Sequence, residues 1–142
     1  MLSQITEFSA NHPYLVLAFA ALLVLIFFNE LKIATNRFSS LSPAAAVQMM
    51  NSEDVVLLDV REASETAAGK IAKAIQIPVG AIGKRISELE KHKAKTILVY
   101  CKTGSRSGIA CKELSKQGFE KVYSLNGGIM AWQDAHMPLS KK

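Results

Sequence analysis

The sequence predicts an α/β fold in which a parallel sheet carries helices on both faces, preceded by a single transmembrane helix. Short apolar runs typical of buried parallel strands recur after residue 41, at residues 55–58, 74–77, 96–100 and 121–125. Helix-type segments separate these runs, and such alternation gives a parallel sheet with helices on both sides. The first 30 residues are mostly apolar and lack the alternation.

The apolar N-terminal segment predicts a membrane anchor. Residues 8–28 are 21 consecutive residues without a formal charge. As a helix they are about 31 Å long, close to the roughly 30 Å hydrocarbon thickness of a bilayer. They lack a polar face, which argues against an interfacial helix. A cleaved signal peptide is the alternative, but it favours Lys or Arg before the run, whereas Glu7 precedes it. We therefore predict an anchor at residues 1–30, in contact with lipid through residues 8–28.

The distribution of cations predicts the orientation of this anchor. No Lys or Arg precedes the apolar run, whereas Lys32 and Arg37 follow it closely. Segments rich in Lys and Arg stay on the cytoplasmic side, so the C-terminal domain is expected in the cytoplasm, at the inner membrane if the protein is bacterial. Residues 31–40 are predicted to form a juxtamembrane linker and residues 41–142 a single domain.

Charge and composition narrow the classes of partner. All 17 Lys and Arg lie at or beyond Lys32, where they face 10 of the 12 Asp and Glu. This excess suits a small anion, an acidic protein or an anionic membrane surface. The cations are scattered and few aromatic residues accompany them, so we predict no nucleic-acid partner. The three histidines lie far apart and no Cys-x-x-Cys occurs, so we predict no metal and no cofactor.

Local signals place the elements of the domain. Ser42 is a typical N-cap and Pro43 a typical first helical residue, which predicts a helix that continues over residues 44–50. The continuous apolar run at residues 55–58 predicts a buried strand. Further along, we predict a short strand at 74–77 closed by Pro78, a helix at 82–91, a strand at 96–100, a helix at 105–117 stopped by Gly118, a strand at 121–125 and a helix at 129–135.

One thiol lies between a predicted strand and a predicted helix. The loop reads Cys101, Lys102, Thr103, Gly104, Ser105, Arg106, Ser107. Ligands of α/β sheets bind beyond the carboxyl ends of the strands, and a helix N-terminus or nearby cations can lower a thiol pKa from about 8.5 to about 3.5–7.5. Gly104 allows the N–H groups of residues 102–106 to turn towards an anion. The loop is too polar for a core, so we predict a reactive thiolate at Cys101.

The Cys-x-x-Gly-x-Arg-Ser loop resembles the active-site loop of rhodanese-like domains, sulfurtransferases that carry a persulfide on this cysteine. Three more segments match in order: residues 59–62 resemble the family's Asp-x-Arg-Glu, Glu65 with residues 69–78 its Glu…Gly-His-Ile-x-Gly-Ala-x-x-Ile-Pro, and residues 125–132 its Leu-x-Gly-Gly-x-x-x-Trp. The resemblance spans residues 41–138. The departures are Thr66 for an aromatic residue, Lys70 for His and Lys73 for Gly, and they bear on substrate or partner choice.

Together with the predicted anchor, the resemblance implies a membrane-anchored sulfurtransferase of the thiosulfate type. Sulfane sulfur would pass through a persulfide on Cys101 to a thiophilic acceptor, from a small donor such as thiosulfate or from a protein persulfide. A membrane protein is a further candidate partner. Residues 102–107 are expected to hold the anion, with support from Asp59 and Arg61 at the end of the neighbouring strand. Asp59 either pairs with a loop cation or caps a turn, and Arg106 either binds an acidic neighbour or contacts the donor.

Two other classes of function compete with this interpretation. Cysteine phosphatases and arsenate reductases place five residues between Cys and Arg, whereas this loop has four, which favours sulfur over a tetrahedral phosphate. A non-enzymatic membrane-tethered scaffold is the other alternative, but a binding module does not need the cysteine. Cys111, on the helix after the loop, is interpreted as a core residue, with a resolving thiol as the alternative.

Overall fold

The computed structural model describes residues 1–34 and 38–141, which fall into two units. The N-terminal unit contains helices α1 (Leu2–Asn11) and α2 (Pro13–Ala34). Pro13 opens α2 because proline lacks an N–H group and its fixed φ suits the first helical turn. The apolar helix thus begins at Pro13, whereas we predicted one continuous span over residues 8–28.

One helix in the described part of the chain is long and apolar enough to cross a membrane. It covers Pro13–Leu31, with a mean hydropathy of 2.3. A signal sequence near the N-terminus can meet the same criteria of length and apolar composition, so the helix by itself is compatible with either an anchor or a signal sequence.

The C-terminal unit is described over residues 38–141. Its strands are β1 (Ser39–Leu41), β2 (Val55–Asp59), β3 (Ile75–Gln76), β4 (Thr96–Tyr100) and β5 (Val122–Leu125). Its helices are α3 (Pro43–Ser52), α4 (Ala63–Thr66), α5 (Ile82–Arg85), α6 (Ser105–Lys116) and α7 (Gly128–Asp134), with 3₁₀ turns at Val79–Ala81, Ile86–Glu88 and Glu90–His92. These five strands form one parallel sheet in the order β1-β5-β4-β2-β3.

The sheet is buried on both faces, which confirms the predicted fold class. All five residues of the central strand β4 are buried. Ile97 and Val99 contribute to an apolar cluster that includes residues of α5 and α6, whereas Leu98 and Tyr100 contribute to a second cluster with residues of α3 and α7. Alternate side chains of a strand point to opposite faces, so helices pack on both sides of the sheet.

Register brings the predicted site residues to one edge of the sheet. Asp59, the last residue of β2, is paired with Tyr100, the last residue of β4. Arg61 and Cys101 therefore follow neighbouring strands at the same carboxyl edge, as the sequence predicted.

The structure corrects two predicted segments and contains one helix that was not predicted. The predicted linker over residues 31–40 overlaps α2 up to Ala34 and strand β1 from Ser39, while residues 35–37, including the orienting cation Arg37, lie outside the described residues. The helix predicted over 82–91 is divided into α5 and two 3₁₀ turns, because Gly83 and Ser87 are poor helix formers. Helix α4, which contains Glu65, was not predicted because it has only four residues.

One departure from the family pattern has a backbone cost. Lys73 stands where the family often has Gly, and its φ is 64°. This left-handed conformation costs a residue with a Cβ about 1–2 kcal/mol, whereas glycine adopts it freely.

We predict that Lys73→Gly stabilises the C-terminal unit. The relief of about 1–2 kcal/mol is partly offset by the greater unfolded-state entropy of glycine, about 0.5–1 kcal/mol. Urea unfolding of the full chain in detergent, followed by the fluorescence of the single and buried Trp132, measures the difference. Lys84→Gly, in the right-handed helix α5, is the matched control and should be destabilising. A loss of stability in Lys73→Gly would contradict the assigned strain.

Candidate active site

The thiol of Cys101 lies inside a tight turn between β4 and α6. Its residue is only 1% exposed. Gly104, with a φ of 110°, precedes α6 in a left-handed conformation that turns its N–H group back towards the sulfur. The Gly104 N–H donates to Cys101 Sγ at 3.0 Å, and Cys101 Sγ lies 3.8 Å from Ser107 Oγ. The structure thus places a backbone N–H donor and a hydroxyl group next to this sulfur.

The surroundings of Cys101 favour its thiolate. Burial alone would raise the pKa of the thiol, but hydrogen bonds from the N–H groups of Ser107, Gly104 and Thr103 and from the Ser107 hydroxyl outweigh it. The net pKa lies below its ordinary value. Backbone N–H groups, rather than the neighbouring cations, contribute most to the stabilisation of this thiolate.

Helix α7 fixes the start of the loop through its first turn. The N–H of Ile129 donates to the Cys101 carbonyl at 2.9 Å, and the N–H of Met130 donates to the Lys102 carbonyl at 3.2 Å. Gly128 makes this approach possible, because a Cβ there would lie 2.5 Å from the carbonyl carbon and oxygen of Lys102. With these carbonyls held by α7, the loop can direct its N–H groups towards the sulfur.

Arg106 is held by Glu65 across the mouth of the loop. The guanidinium donates to the two carboxylate oxygens at 2.6 and 2.8 Å, and each side chain is 30% exposed. The hydrogen bond from Arg106, then one from the N–H of Glu62, lowers the pKa of Glu65 to about 2. Of the two predicted roles for Arg106, the structure shows the bond to an acidic neighbour.

Asp59 and Arg61 form a buried ion pair beneath α4. They are 0% and 5% exposed, and the Arg61 guanidinium donates to Asp59 at 2.7–3.1 Å. The N–H of Arg61 also donates to Asp59 at 3.0 Å. Of the two roles predicted for Asp59, the structure shows the turn cap, in which the carboxylate accepts the Arg61 N–H, and not the pairing with a cation of the thiol loop. Glu65 binds that cation, because α4 carries it to the loop. Arg61 also donates to the carbonyls of Glu65 and Gly69, at 3.2 and 2.8 Å, and so supports the segment that holds Arg106.

The remaining predicted site residues differ in exposure. Lys102, Thr103 and Ser105 are exposed at the loop surface, whereas Ser107 is fully buried. Lys102 also borders a cavity of about 250 Å³ between the turn after α4 and the start of α7. The walls of this cavity combine apolar residues such as Ile129 and Met130 with charged and polar ones such as Glu65 and Gln133, so it can accept part of a ligand that approaches the loop.

The second cysteine has a different environment. Cys111 is fully buried in the same apolar cluster as Cys101, and both thiols are free. Burial, followed by the nearby charge of Cys101, raises the pKa of Cys111 to about 12. This environment favours the interpretation of Cys111 as a core residue. No cluster of three metal-ligating side chains occurs among the described residues.

Sequence reasoning did not identify two polar residues of the site. Glu65 appeared only within a matched motif, although its spacing from Glu62 is that of a capping box, which the structure contains. Ser124, a buried residue of β5, forms a 2.8 Å contact with Ser107 through the two hydroxyl oxygens. A polar residue within the apolar strand β5 was the available signal.

Comparisons with known proteins agree with this geometry. A family model described as "Rhodanese-like domain" matches residues 42–135. The chain is 32% identical to the uncharacterized protein YibN of Escherichia coli K12, over 97% of both chains. It is 38% identical to a sulfurtransferase of Allochromatium vinosum, over 69% of this chain and 90% of that protein. A rhodanese-related protein of Thermoplasma volcanium has a similar structure, with a TM-score of 0.67 and 30% identity over 73% of this chain and 99% of that one.

We predict that Glu65→Gln weakens the tie between α4 and the loop in a pH-dependent way. Because the pKa of Glu65 is about 2 in the folded protein and ordinarily 4.5, its contribution is complete above about pH 4.5 and disappears as the pH falls towards 2. The loss should not exceed about 1 kcal/mol, since the pair is partly exposed.

Urea unfolding from pH 2 to pH 7 measures this difference. Glu88→Gln is the matched control, because it breaks a more exposed Arg–carboxylate pair between Arg85, the last residue of α5, and Glu88 in the 3₁₀ turn that follows. A stability difference for Glu65→Gln that grows as the pH falls would contradict the prediction.

Proposed function

The chain belongs to the family of rhodanese-like domains, and on this premise we propose that it is a membrane-anchored sulfurtransferase that carries sulfane sulfur as a persulfide on Cys101. The observation that carries the proposal is one buried sulfur atom that accepts a hydrogen bond from the Gly104 N–H and lies 3.8 Å from the Ser107 hydroxyl, which can turn its proton to the thiolate. Such donors stabilise the thiolate, which is the nucleophilic form of the residue.

In the first half of the reaction, the Cys101 thiolate attacks the outer sulfur of thiosulfate. A new S–S bond forms at Cys101 Sγ, the S–S bond of thiosulfate breaks, and sulfite departs with the bonding electrons. The negative charge then lies on the outer sulfur of the persulfide. Residues 102–106 follow Cys101 directly, so their backbone N–H groups can donate hydrogen bonds to this outer sulfur. The exposed ammonium of Lys102 favours the approach of the anionic thiosulfate.

In the second half, a thiophilic acceptor such as cyanide attacks the outer sulfur. A bond forms between the acceptor and this sulfur, the persulfide S–S bond breaks, and Cys101 Sγ recovers its electron pair as a thiolate. Neither half requires a proton or an external redox partner when the donor is thiosulfate and the acceptor is cyanide. Donors to Sγ assist this half directly, because negative charge develops on Sγ as it leaves.

The position of Arg106 supports sulfur transfer over phosphate chemistry. A phosphatase of the related loop type needs its arginine to bind the oxygens of the transferred phosphate. In this chain both terminal nitrogens of Arg106 donate to Glu65, and only four residues separate it from Cys101. The loop is therefore better suited to a sulfur atom than to a tetrahedral anion.

The N-terminal helix supports the proposed location. Pro13–Leu31 is long and apolar enough to span a bilayer, and the alignment with the Escherichia coli relative covers 97% of both chains, so it includes this helix. The cations that follow the helix favour a catalytic unit on the cytoplasmic side, where thiols remain reduced. This supports an anchored enzyme rather than a secreted one.

We predict that Cys101→Ser abolishes sulfur transfer from thiosulfate to cyanide while the fold is retained. The serine hydroxyl is not ionised near neutral pH and forms no persulfide. Cys111→Ser is the matched control and should keep most of the activity, since this thiol is buried and its pKa is raised to about 12. Thiocyanate formation and Trp132 fluorescence report activity and folding. Turnover in Cys101→Ser would contradict the persulfide mechanism, and loss of activity in a folded Cys111→Ser would indicate a resolving thiol.

We predict that the full chain sediments with membranes, resists alkaline carbonate and retains its first residue. Leu22→Arg places a charge near the centre of α2, and inserting this charge into a bilayer costs about 2.5–3.5 kcal/mol. The variant should therefore be retained less well in the membrane, whereas the control Leu22→Ala should be retained normally. Protease added to intact cells should leave the C-terminal unit uncut. Its digestion from outside would contradict the proposed orientation, and release after cleavage near Asn29 would support a signal peptide.

A further inference from the structure

A buried pair of hydroxyl groups lies behind the reactive sulfur. Ser107 in α6 and Ser124 in β5 are 0% and 4% exposed, and their Oγ atoms are 2.8 Å apart. Ser124 is paired with Val99 of β4, two residues before Cys101 and on the same face of the sheet. A hydroxyl buried among apolar side chains is costly unless its hydrogen bonds are satisfied, so the pair requires a physical explanation.

Counting protons assigns the direction of the hydrogen bonds. Ser107 has one hydroxyl proton, and its Oγ lies 2.9 Å from the Gly104 carbonyl, to which it donates. Ser124 must then be the donor in the contact between the two hydroxyls. In this arrangement the thiol of Cys101 can donate to Ser107 Oγ, at 3.8 Å.

Ionisation of the thiol changes this arrangement, because a thiolate only accepts hydrogen bonds. The Ser107 hydroxyl can then turn its proton from the Gly104 carbonyl to Cys101 Sγ. The carbonyl keeps the N–H of Gly108 as a donor, at 3.2 Å, so no buried group loses its last partner. Ser124 continues to donate to Ser107 Oγ and increases the polarity of the Ser107 O–H bond.

We propose that Ser124 is a positioning residue for sulfur transfer: its hydroxyl donates to Ser107 Oγ and thereby keeps the Ser107 proton directed at Cys101 Sγ whenever this sulfur carries negative charge. Only the expected effect on sulfur transfer rests on the proposed function. Its effect is expected mainly in the second half of the reaction, when Sγ is the leaving group. In the first half a more stable thiolate is also a weaker nucleophile, so the two effects partly cancel.

Other groups that influence this sulfur remain unchanged when Ser124 is replaced. The titratable and charged side chains around the loop are Lys102 within it, Arg106 and Cys111 on α6, Glu62 and Glu65 at α4, and Asp59 with Arg61 at the end of β2. Tyr123 of β5 belongs to the cluster on the opposite face of the sheet, and the first turn of α7 has no titratable side chain.

The test measures the alkylation rate of Cys101 against pH in the full chain in detergent. The two thiols are distinguished by the tryptic peptides that end at Lys102 and Lys112. Ser124→Ala should raise the midpoint of the Cys101 profile by about half a pH unit and slow transfer from the persulfide to cyanide by about threefold. The rate of the first half of the reaction, sulfur transfer from thiosulfate to Cys101, should change less. Ser115→Ala is the matched control: its hydroxyl is buried without a hydrogen-bond partner among the described residues, so the midpoint should not move.

Two further comparisons make the test specific. Ser107→Ala should raise the midpoint at least as much as Ser124→Ala, and adding Ser124→Ala to Ser107→Ala should give no further shift, because the first residue acts through the second. Ser124→Thr and Ser124→Val have nearly equal volume and differ in the hydroxyl, so the midpoint should be lower in the Thr variant even if Ser124→Ala does not fold.

The outcomes separate this inference from the proposed function. Equal midpoints for Ser124→Thr and Ser124→Val, or a full shift of Ser124→Ala in the Ser107→Ala background, would overturn it. The predicted pattern of midpoints in a chain that transfers no sulfur would support the positioning of the thiolate and contradict the sulfurtransferase.

Discussion

The conformation of the short loop between β4 and α6 is the constraint on which the site depends. A thiolate buried to 1% exposure is stable only if donors replace the water that it loses, and the donors here are mainly backbone N–H groups. Their direction depends on the left-handed conformation of Gly104 and on the hydrogen bonds from α7 to the Cys101 and Lys102 carbonyls. In the proposed persulfide mechanism, backbone dipoles held in this way need little reorganisation when charge moves between the two sulfur atoms.

Charged side chains stabilise this loop from outside instead of contacting the sulfur. Arg106 binds Glu65, and Arg61 binds both Asp59 and two carbonyls of the segment that contains Glu65. The two ion pairs therefore link the ends of β2 and β4 through α4. The partly exposed pair of Arg106 and Glu65 contributes little to stability. Replacing only one partner of the buried Asp59–Arg61 pair is costly, because the other charge is left buried and unpaired. Their common effect is to fix where the loop lies.

Features with a strong local signal were predictable from the sequence. The continuous apolar runs identified β2 and β4, Ser42 and Pro43 identified the start of α3, and the ordered motifs identified the family. The position of Cys101 at the carboxyl edge of the sheet also followed from the pattern. These elements are determined by neighbours in sequence or by burial on both faces, which a single sequence records.

Features that depend on tertiary contacts were not predictable. Strand β1 has three residues and is defined by its pairing with β5. The bond between Glu65 and Arg106 joins residues 41 positions apart, and sequence spacing gave no reason to prefer Glu65 over Asp59 as the partner. The role of Gly128 depends on the approach of α7 to the loop, which only the packed structure defines.

The most direct test of the central claim is the intact mass of the full chain after incubation with thiosulfate and removal of the excess. A sulfurtransferase that uses this loop should gain the mass of one sulfur atom, lose it on treatment with cyanide or a reductant, and carry it on the tryptic peptide that ends at Lys102. No gain in mass in a folded chain, or a gain confined to the peptide that contains Cys111, would contradict the account.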